Sequence, residues 1–253
     1  MSLLERLHTG KRFTPPRICI FGNPGVGKST FAAQAPDPVF IPVENGIDQV
    51  DCTSFDHCKT MSAFVNCLTE VLNEKHEFKT LVIDSLSALQ DIVVDSVLAD
   101  AKAKFLTAAY GGFNRGNDAA LMIIRKEVFP LLERIRAERN MCVIYLAHAH
   151  DETVRHPDGS TERRTSPDLI APIRDYIVRN TDVLAYGRIK TIEDASGNRI
   201  VVGKNGGDRE LICEGDMSLL AKNRYGIPSH PLPFKWDALF AAIKSGSGAN
   251  GGS

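Results

Sequence analysis

The sequence predicts an α/β domain: a mostly parallel sheet flanked by helices, extended by antiparallel strands toward its C-terminal end. Three observations carry this expectation. Apolar runs of strand length recur at 18–21, 39–43, 81–83 and 141–147, separated by stretches with helical periodicity, the alternation of a parallel sheet covered by helices. The run at 18–21 passes directly into a glycine-rich turn and then a helix-compatible segment at 30–34. Past Ala147 the pattern changes to short extended segments split by turn residues.

The individual elements follow in chain order. Residues 61–77 read as a helix. The clearest helical stretch runs over 117–139, where Leu121, Ile124, Val128, Leu131 and Ile135 repeat at three- and four-residue spacing. Pro130 lies inside it, so a kink or two abutting helices is expected there. Residues 153–165, with Pro157, Asp158, Gly159 and Ser160 at the centre, read as a hairpin or mobile loop. Runs at 183–192 and 199–202, split by Ala195, Ser196, Gly197 and Asn198, read as a second hairpin, with 210–213 as a third strand. Residues 1–244 are expected to form one domain. The segment 245–253 contains only Gly, Ser, Ala and Asn and is expected to be a flexible extension.

A chain of 253 residues with 43% hydrophobic side chains can bury a full core. Its formal net charge of -1 supplies no global positive field, so any nucleic-acid contact has to come from a local patch. The first twelve residues carry charges without a sustained apolar stretch, and no later run approaches the roughly 18 residues of a membrane-spanning helix. A cytoplasmic protein without membrane contact is the expectation. The six cysteines are scattered, and Cys19 and Cys142 fall in apolar runs where a thiol behaves as a small hydrophobe. Cys52, His57, Cys58, Cys67 and His76 offer a zinc alternative, against which stands the lack of any C-x-x-C pair.

Chemistry concentrates at Gly22, Asn23, Pro24, Gly25, Val26, Gly27, Lys28, Ser29 and Thr30, which contain G-x-x-x-x-G-K-[ST] between a strand and a helix. Glycines allow a tight turn whose successive N–H groups point at phosphates. Lys28 is then expected to reach the terminal phosphates of ATP, and Ser29 to ligate Mg²⁺. Residues 79–85, Lys-Thr-Leu-Val-Ile-Asp-Ser, supply an apolar strand ending in an acid. That places Asp84 at the carboxyl edge of the sheet, where it is expected to hold the Mg²⁺ through water. Glu44 ends the second strand-like run and is the candidate to orient the attacking water, with Asp48 as an alternative carboxylate.

At these residues the chain resembles the RecA-like ATPases. Residues 81–89, Leu-Val-Ile-Asp-Ser-Leu-Ser-Ala-Leu, look like the RecA-type magnesium strand. Residues 143–148, Val-Ile-Tyr-Leu-Ala-His, look like the next core strand, which in RecA proteins ends in a glutamine that senses the γ-phosphate. His148 occupies that position here, as in a group of phage-encoded ATPases of the single-strand annealing type, which implies an imidazole donor instead of an amide. His148 and His150 also form a His-x-His pair, for which a metal role is the lesser alternative.

Residues 221–226, Ala-Lys-Asn-Arg-Tyr-Gly, resemble the Lys-Asn-Arg-Phe-Gly motif of RadA-type proteins. By that resemblance Lys222 and Arg224 would act across a subunit interface on a neighbour's ATP, and neither has an obvious partner in its own chain. A homo-oligomer is therefore implied. The segment after the sensor strand is a DNA-binding loop in RecA proteins, which makes Arg155, Arg163 and Arg164, with His156 among them, candidates for single-stranded DNA contact. Asp151, Glu152, Asp158 and Glu162 offset them, and 150–167 has no aromatic residue.

The resemblance implies a Mg²⁺-dependent ATPase in recombination or single-strand annealing, with phage or host recombination and replication proteins as partners. Three alternatives use the same core. One is a helicase-type motor or loader in replication, another a slow ATP-dependent switch or scaffold with a protein target, and the third, less favoured, a small-molecule kinase.

Overall fold

The computed structural model describes residues 7, 9–10, 14–155, 158–193, 199–203 and 207–247. His156, Pro157 and the turn residues Ala195, Ser196, Gly197 and Asn198 lie outside the described residues, as do 248–253.

The N-terminal half alternates strands and helices: β1 (Arg17–Gly22), α1 (Lys28–Ala32), β2 (Pro38–Pro42), β3 (Thr53–Ser54), α2 (Met61–Asn73), β4 (Thr80–Asp84) and α3 (Leu86–Ala101). Then come α4 (Arg115–Ile123), a π turn (Ile124–Val128), α5 (Phe129–Glu138) and β5 (Cys142–Arg155). The rest comprises β6 (Thr161–Pro167), α6 (Ala171–Asn180), β7 (Val183–Ile189), β8 (Thr191–Glu193), β9 (Arg199–Val201), β10 (Arg209–Ile212), β11 (Lys222–Asn223), β12 (Leu232–Pro233) and α7 (Trp236–Ser247).

The main sheet has the order β12-β10-β7-β1-β5-β4-β2-β3. From β7 to β3 all neighbours are parallel, whereas β10, β11 and β12 are added antiparallel. The mixed sheet with an antiparallel C-terminal end matches the fold class read from the sequence. β5 lies between β1 and β4, so its carboxyl end falls between the glycine-rich turn and Asp84.

Period-two alternation divides each central strand between two apolar layers. Cys19, Phe21, Val143, Tyr145 and Ala147 face the layer covered by α2, α3, α5 and α6. Ile18, Ile20, Ile144 and Leu146 face the layer built on Phe31 of α1 and on Trp236, Leu239 and Ile243 of α7. Because the strands are buried on both faces, they read as continuous apolar runs.

The structure refines several expectations. The long helical stretch is divided at Pro130 as expected, into α4 and α5. The residues just before it form the π turn, and Pro130 falls in the first turn of α5, where its missing N–H costs no α-helical hydrogen bond. The 183–192 run is not one arm of a hairpin. Val183, Leu184 and Ala185 are fully buried, so β7 inserts beside β1 as a parallel core strand. Only its continuation, β8, pairs with β9 as a hairpin. The hairpin expected around 153–165 is seen as antiparallel pairing of 149–155, the distal half of the 14-residue β5, with β6.

Cys58 and Cys67 approach to 3.6 Å between Sγ atoms. His57 and His76 each place Nε2 against a carbonyl, of Val43 and Val71 respectively. Among the described residues no group of three or more His, Cys, Asp or Glu side chains is placed to hold a metal ion. No described helix is long and apolar enough to cross a membrane.

Candidate nucleotide site

The site is assembled where parallel strands end. β1 delivers its chain into the turn at Gly22, and Gly25 and Gly27 take φ of 77° and 91°, a region that L side chains disfavour. This lets the turn wrap before α1 begins at Lys28. A cavity of about 600 Å³ opens above it, lined by the turn, by Glu44, Asp84 and His148, and by Arg209 and Phe234.

Lys28 is buried, with Nζ donating to the carbonyls of Gly22 at 3.0 Å and Asn23 at 3.3 Å. Burial lowers its pKa, opposed by the charges of Asp84 and Glu44. The ammonium is therefore held at the mouth of the phosphate turn by weak backbone contacts that an anionic oxygen can replace. Ser29 Oγ donates to Asp84 Oδ2 at 2.6 Å. Burial raises the Asp84 pKa against that hydrogen bond. A hydroxyl oxygen and a desolvated carboxylate side by side, with Glu44 nearby, form an oxygen set suited to Mg²⁺. When bound, that ion would neutralise phosphate charge between Ser29 and Asp84.

Glu44 stands just beyond β2, and the N–H groups of Val43 and Glu44 both point to the Asp84 carbonyl, at 2.6 and 3.3 Å. The Asp84–Ser85 peptide bond is cis. Ser85 caps α3 by accepting from Ala88 N–H and also donates to Glu44 Oε2 at 3.1 Å. His148, at the end of the sheet portion of β5, places Nε2 2.9 Å from the same oxygen. Its backbone N–H donates to Ser87 Oγ at 3.1 Å, and that hydroxyl donates to the Asp168 carbonyl. The strand end is thus tied to the first turn of α3. Asp48 lies in an exposed turn, Ile47–Gln49, and is not among the residues lining the cavity.

Other candidates lie elsewhere. Asp182 precedes β7 at the amino edge of the sheet, about 20 Å from the phosphate turn along β1. There its Oδ1 accepts from Arg17 Nη2 at 3.0 Å and Arg224 Nη1 at 3.1 Å. Arg224 Nη2 also donates to the Arg179 carbonyl, and Lys222 Nζ to that of Val178. The expectation that these two cations lack partners in their own chain is therefore corrected: α6 and the start of β7 supply them.

Arg163 pairs with Asp151 at 2.6 Å, and Arg164 with Glu152 at 2.8 Å, across the β5–β6 hairpin, while Arg155 is exposed. His150 is exposed one pleat beyond His148. Arg209 and Phe234 enter the cavity from β10 and from the residue after β12. No motif marked them, because only the antiparallel pairing of β10 on β7 and of β12 on β10 carries them there.

A family model described as an AAA domain matches residues 14–225. No curated protein matches the sequence. Among solved structures, one titled "Crystal structure of the RadB recombinase" superposes with a TM-score of 0.46 at 12% identity, covering 87% of this chain and 87% of that chain. The family match embraces the phosphate turn, Asp84, His148 and the Lys222–Asn223 strand, and the chain belongs to the AAA domain family as a P-loop ATPase.

Proposed function

We propose that the protein is a Mg²⁺-dependent ATPase that acts on single-stranded DNA in recombination or strand annealing. The convergence of Lys28, Ser29, Asp84, Glu44 and His148 on one cavity supports the hydrolytic part. Lys28 and the turn N–H groups hold the phosphates, Glu44 takes the proton from an attacking water, and His148 and Ser85 fix the orientation of that carboxylate. On this reading His148 holds Glu44 while the site is empty and turns to the γ-phosphate when ATP binds, leaving Ser85 to hold the carboxylate, so the same ring senses whether ATP is present.

The DNA part is carried by one observation. Between Ala101 and Asn117 the chain has no acidic residue. It exposes Phe105 at 69%, Tyr110 at 40% and Phe113 at 92%, beside exposed Lys102, Lys104 and Arg115. Aromatic faces interleaved with cations are the platform on which single strands stack. The hairpin arginines Arg163 and Arg164 are already engaged by carboxylates, so DNA binding there draws chiefly on Arg155. The trans role of Lys222 and Arg224 requires that assembly draw them away from α6 and Asp182 toward a neighbour's nucleotide.

The test is steady-state ATP hydrolysis across protein concentrations, with and without single-stranded DNA and with Lys28→Ala as the blank. Stimulation by DNA with a rate that climbs faster than protein concentration is the expected result. A flat rate indifferent to DNA overturns the DNA and assembly parts.

A further inference from the structure

Arg209 is a cation of the nucleotide cavity that comes from outside the motif-bearing strands. It opens β10, which is registered antiparallel on β7 with Arg209 opposite Ile189. β12 pins it from the other side, and Phe234 N–H donates to the Arg209 carbonyl at 3.2 Å. The backbone at this position is therefore held by the sheet, while the side chain is exposed and reaches over the phosphate turn.

Its destination is defined by Gly27. A Cβ built on that glycine would lie 3.8 Å from Arg209 Nε, 3.9 Å from Cδ and 4.0 Å from Cζ. The guanidinium stem thus passes the bare Cα of the residue immediately before Lys28, against the part of the turn whose N–H groups face phosphate. Neither adjacent carboxylate claims it, because Glu210 pairs with Arg188 at 2.7 Å and the Asp208 carboxylate lies against Gly203. Among the described residues no hydrogen bond or ion pair holds the Arg209 guanidinium.

Charge makes the same point. The cavity carries the carboxylates Glu44 and Asp84 against Lys28 and Arg209. A polyphosphate brings further negative charge, only part of which a divalent ion neutralises. A planar five-donor fork at the rim suits phosphate oxygens that the point charge of Lys28, on the inner side of the turn, does not cover.

We propose that Arg209 is a phosphate-binding residue acting within its own chain, closing over the glycine-rich turn onto the polyphosphate of a bound nucleoside di- or triphosphate. This rests on the reading of the cavity as the ATP site. It makes the antiparallel extension part of nucleotide recognition, so that occupancy of the site is coupled to the seating of β10 and β12 on β7.

The experiment is equilibrium binding of ATP, ADP and AMP to the full chain, for the unsubstituted protein and for Lys28→Ala, Arg209→Ala, Arg209→Lys and Arg209→Met. Arg209→Met keeps an apolar stem against Gly27 and guards against a fold effect, which thermal melting checks independently. Loss of one charge-assisted contact predicts about 10- to 100-fold weaker ATP and ADP binding for Arg209→Ala and Arg209→Met. AMP binding should change far less, and Arg209→Lys should recover part of the loss. Unchanged ATP and ADP affinity in Arg209→Met, while Lys28→Ala abolishes binding, overturns the role of Arg209 and leaves the ATP site standing. Equal weakening of AMP, ADP and ATP overturns it in favour of a base or ribose contact. Failure of the unsubstituted protein to bind ATP overturns both.

Discussion

His148 Nε2 lies 2.9 Å from Glu44 Oε2, joining the middle of β5, where it leaves the parallel sheet, to the second residue after β2 across the intervening strand β4. An ionised carboxylate can only accept, so Nε2 is the donor in this contact, while Nδ1 is buried without a partner. Ser85 donates to the same oxygen, which leaves Oε1 of Glu44 as the oxygen available to a water.

The first prediction concerns this pair. Glu44→Gln removes the proton acceptor and should lower single-turnover hydrolysis by about 10²- to 10⁴-fold, the usual yield of general-base catalysis. ATP affinity should stay within a few-fold. His148→Ala should cost less, because Ser85 still orients Glu44, and His148→Gln should recover part of the loss by restoring an N–H donor. Rapid-quench turnover alongside equilibrium binding separates these effects.

Magnesium dependence should map to Asp84 and Ser29. Asp84→Asn keeps the shape of the side chain but removes the charge beside Ser29. The expected outcome is that Mg²⁺ no longer tightens ATP binding, while the weak metal-free affinity persists. Titrating ATP with and without Mg²⁺ reads this directly. Equal Mg²⁺ enhancement in the variant and the unsubstituted protein would count against the assignment.

Packing between β1, β7 and the segment after β12 leaves no room for side chains at two glycines. A Cβ at Gly22 would lie 2.5 Å from the Gly187 carbonyl oxygen, and one at Gly187 would lie 2.5 Å from Phe234 Cε2. Overpacking of this kind costs typically about 1–3 kcal/mol. Gly187→Ala should lower the unfolding midpoint in denaturant, and Gly187→Ala with Phe234→Leu should recover part of it.

Acid should weaken the amino edge of the sheet through Asp182. Burial acts against its charge, but hydrogen bonds from the Arg17 side chain and N–H, and the charges of Arg17 and Arg224, outweigh it and hold the pKa below the ordinary carboxylate value. With the folded value depressed, this contribution to stability is full above the unfolded pKa of about 3.9 and is lost as pH falls through the folded value. Stability measured against pH should fall in that window, and Asp182→Asn should flatten the fall while lowering stability at neutral pH.

Single-stranded DNA affinity should depend on Phe105 and Phe113 more than on the hairpin. Removing one stacking face costs about 1–3 kcal/mol, so Phe113→Ala should weaken binding about 10-fold at fixed salt. Arg163→Ala should change it little, since that cation is already neutralised by Asp151. Fluorescence anisotropy with a labelled oligonucleotide distinguishes the two variants.

The sequence by itself determined the parallel strands β1, β2, β4 and β5 and the phosphate turn, because both are local, but not β7, whose parallel place beside β1 only the fold decided. Strands buried on both faces leave unbroken apolar runs, and a turn that needs left-handed glycines between a strand and a helix leaves a fixed spacing at Gly22, Gly27, Lys28 and Ser29. Asp84 and Glu44 were legible for the same reason, since each marks the end of an apolar run, whereas His148 was marked by the resemblance of 143–148 to a RecA-type strand. Only the tertiary structure decided that Glu44 and His148 meet, because their contact depends on strand order and not on spacing. The same holds for Arg209, whose place over Gly27 follows from the antiparallel register of β10 on β7, and for Arg224, which finds Asp182 at the far edge. A hydrogen bond or ion pair between residues far apart in the chain is fixed by which strands become neighbours, and that is settled by packing over the whole sheet.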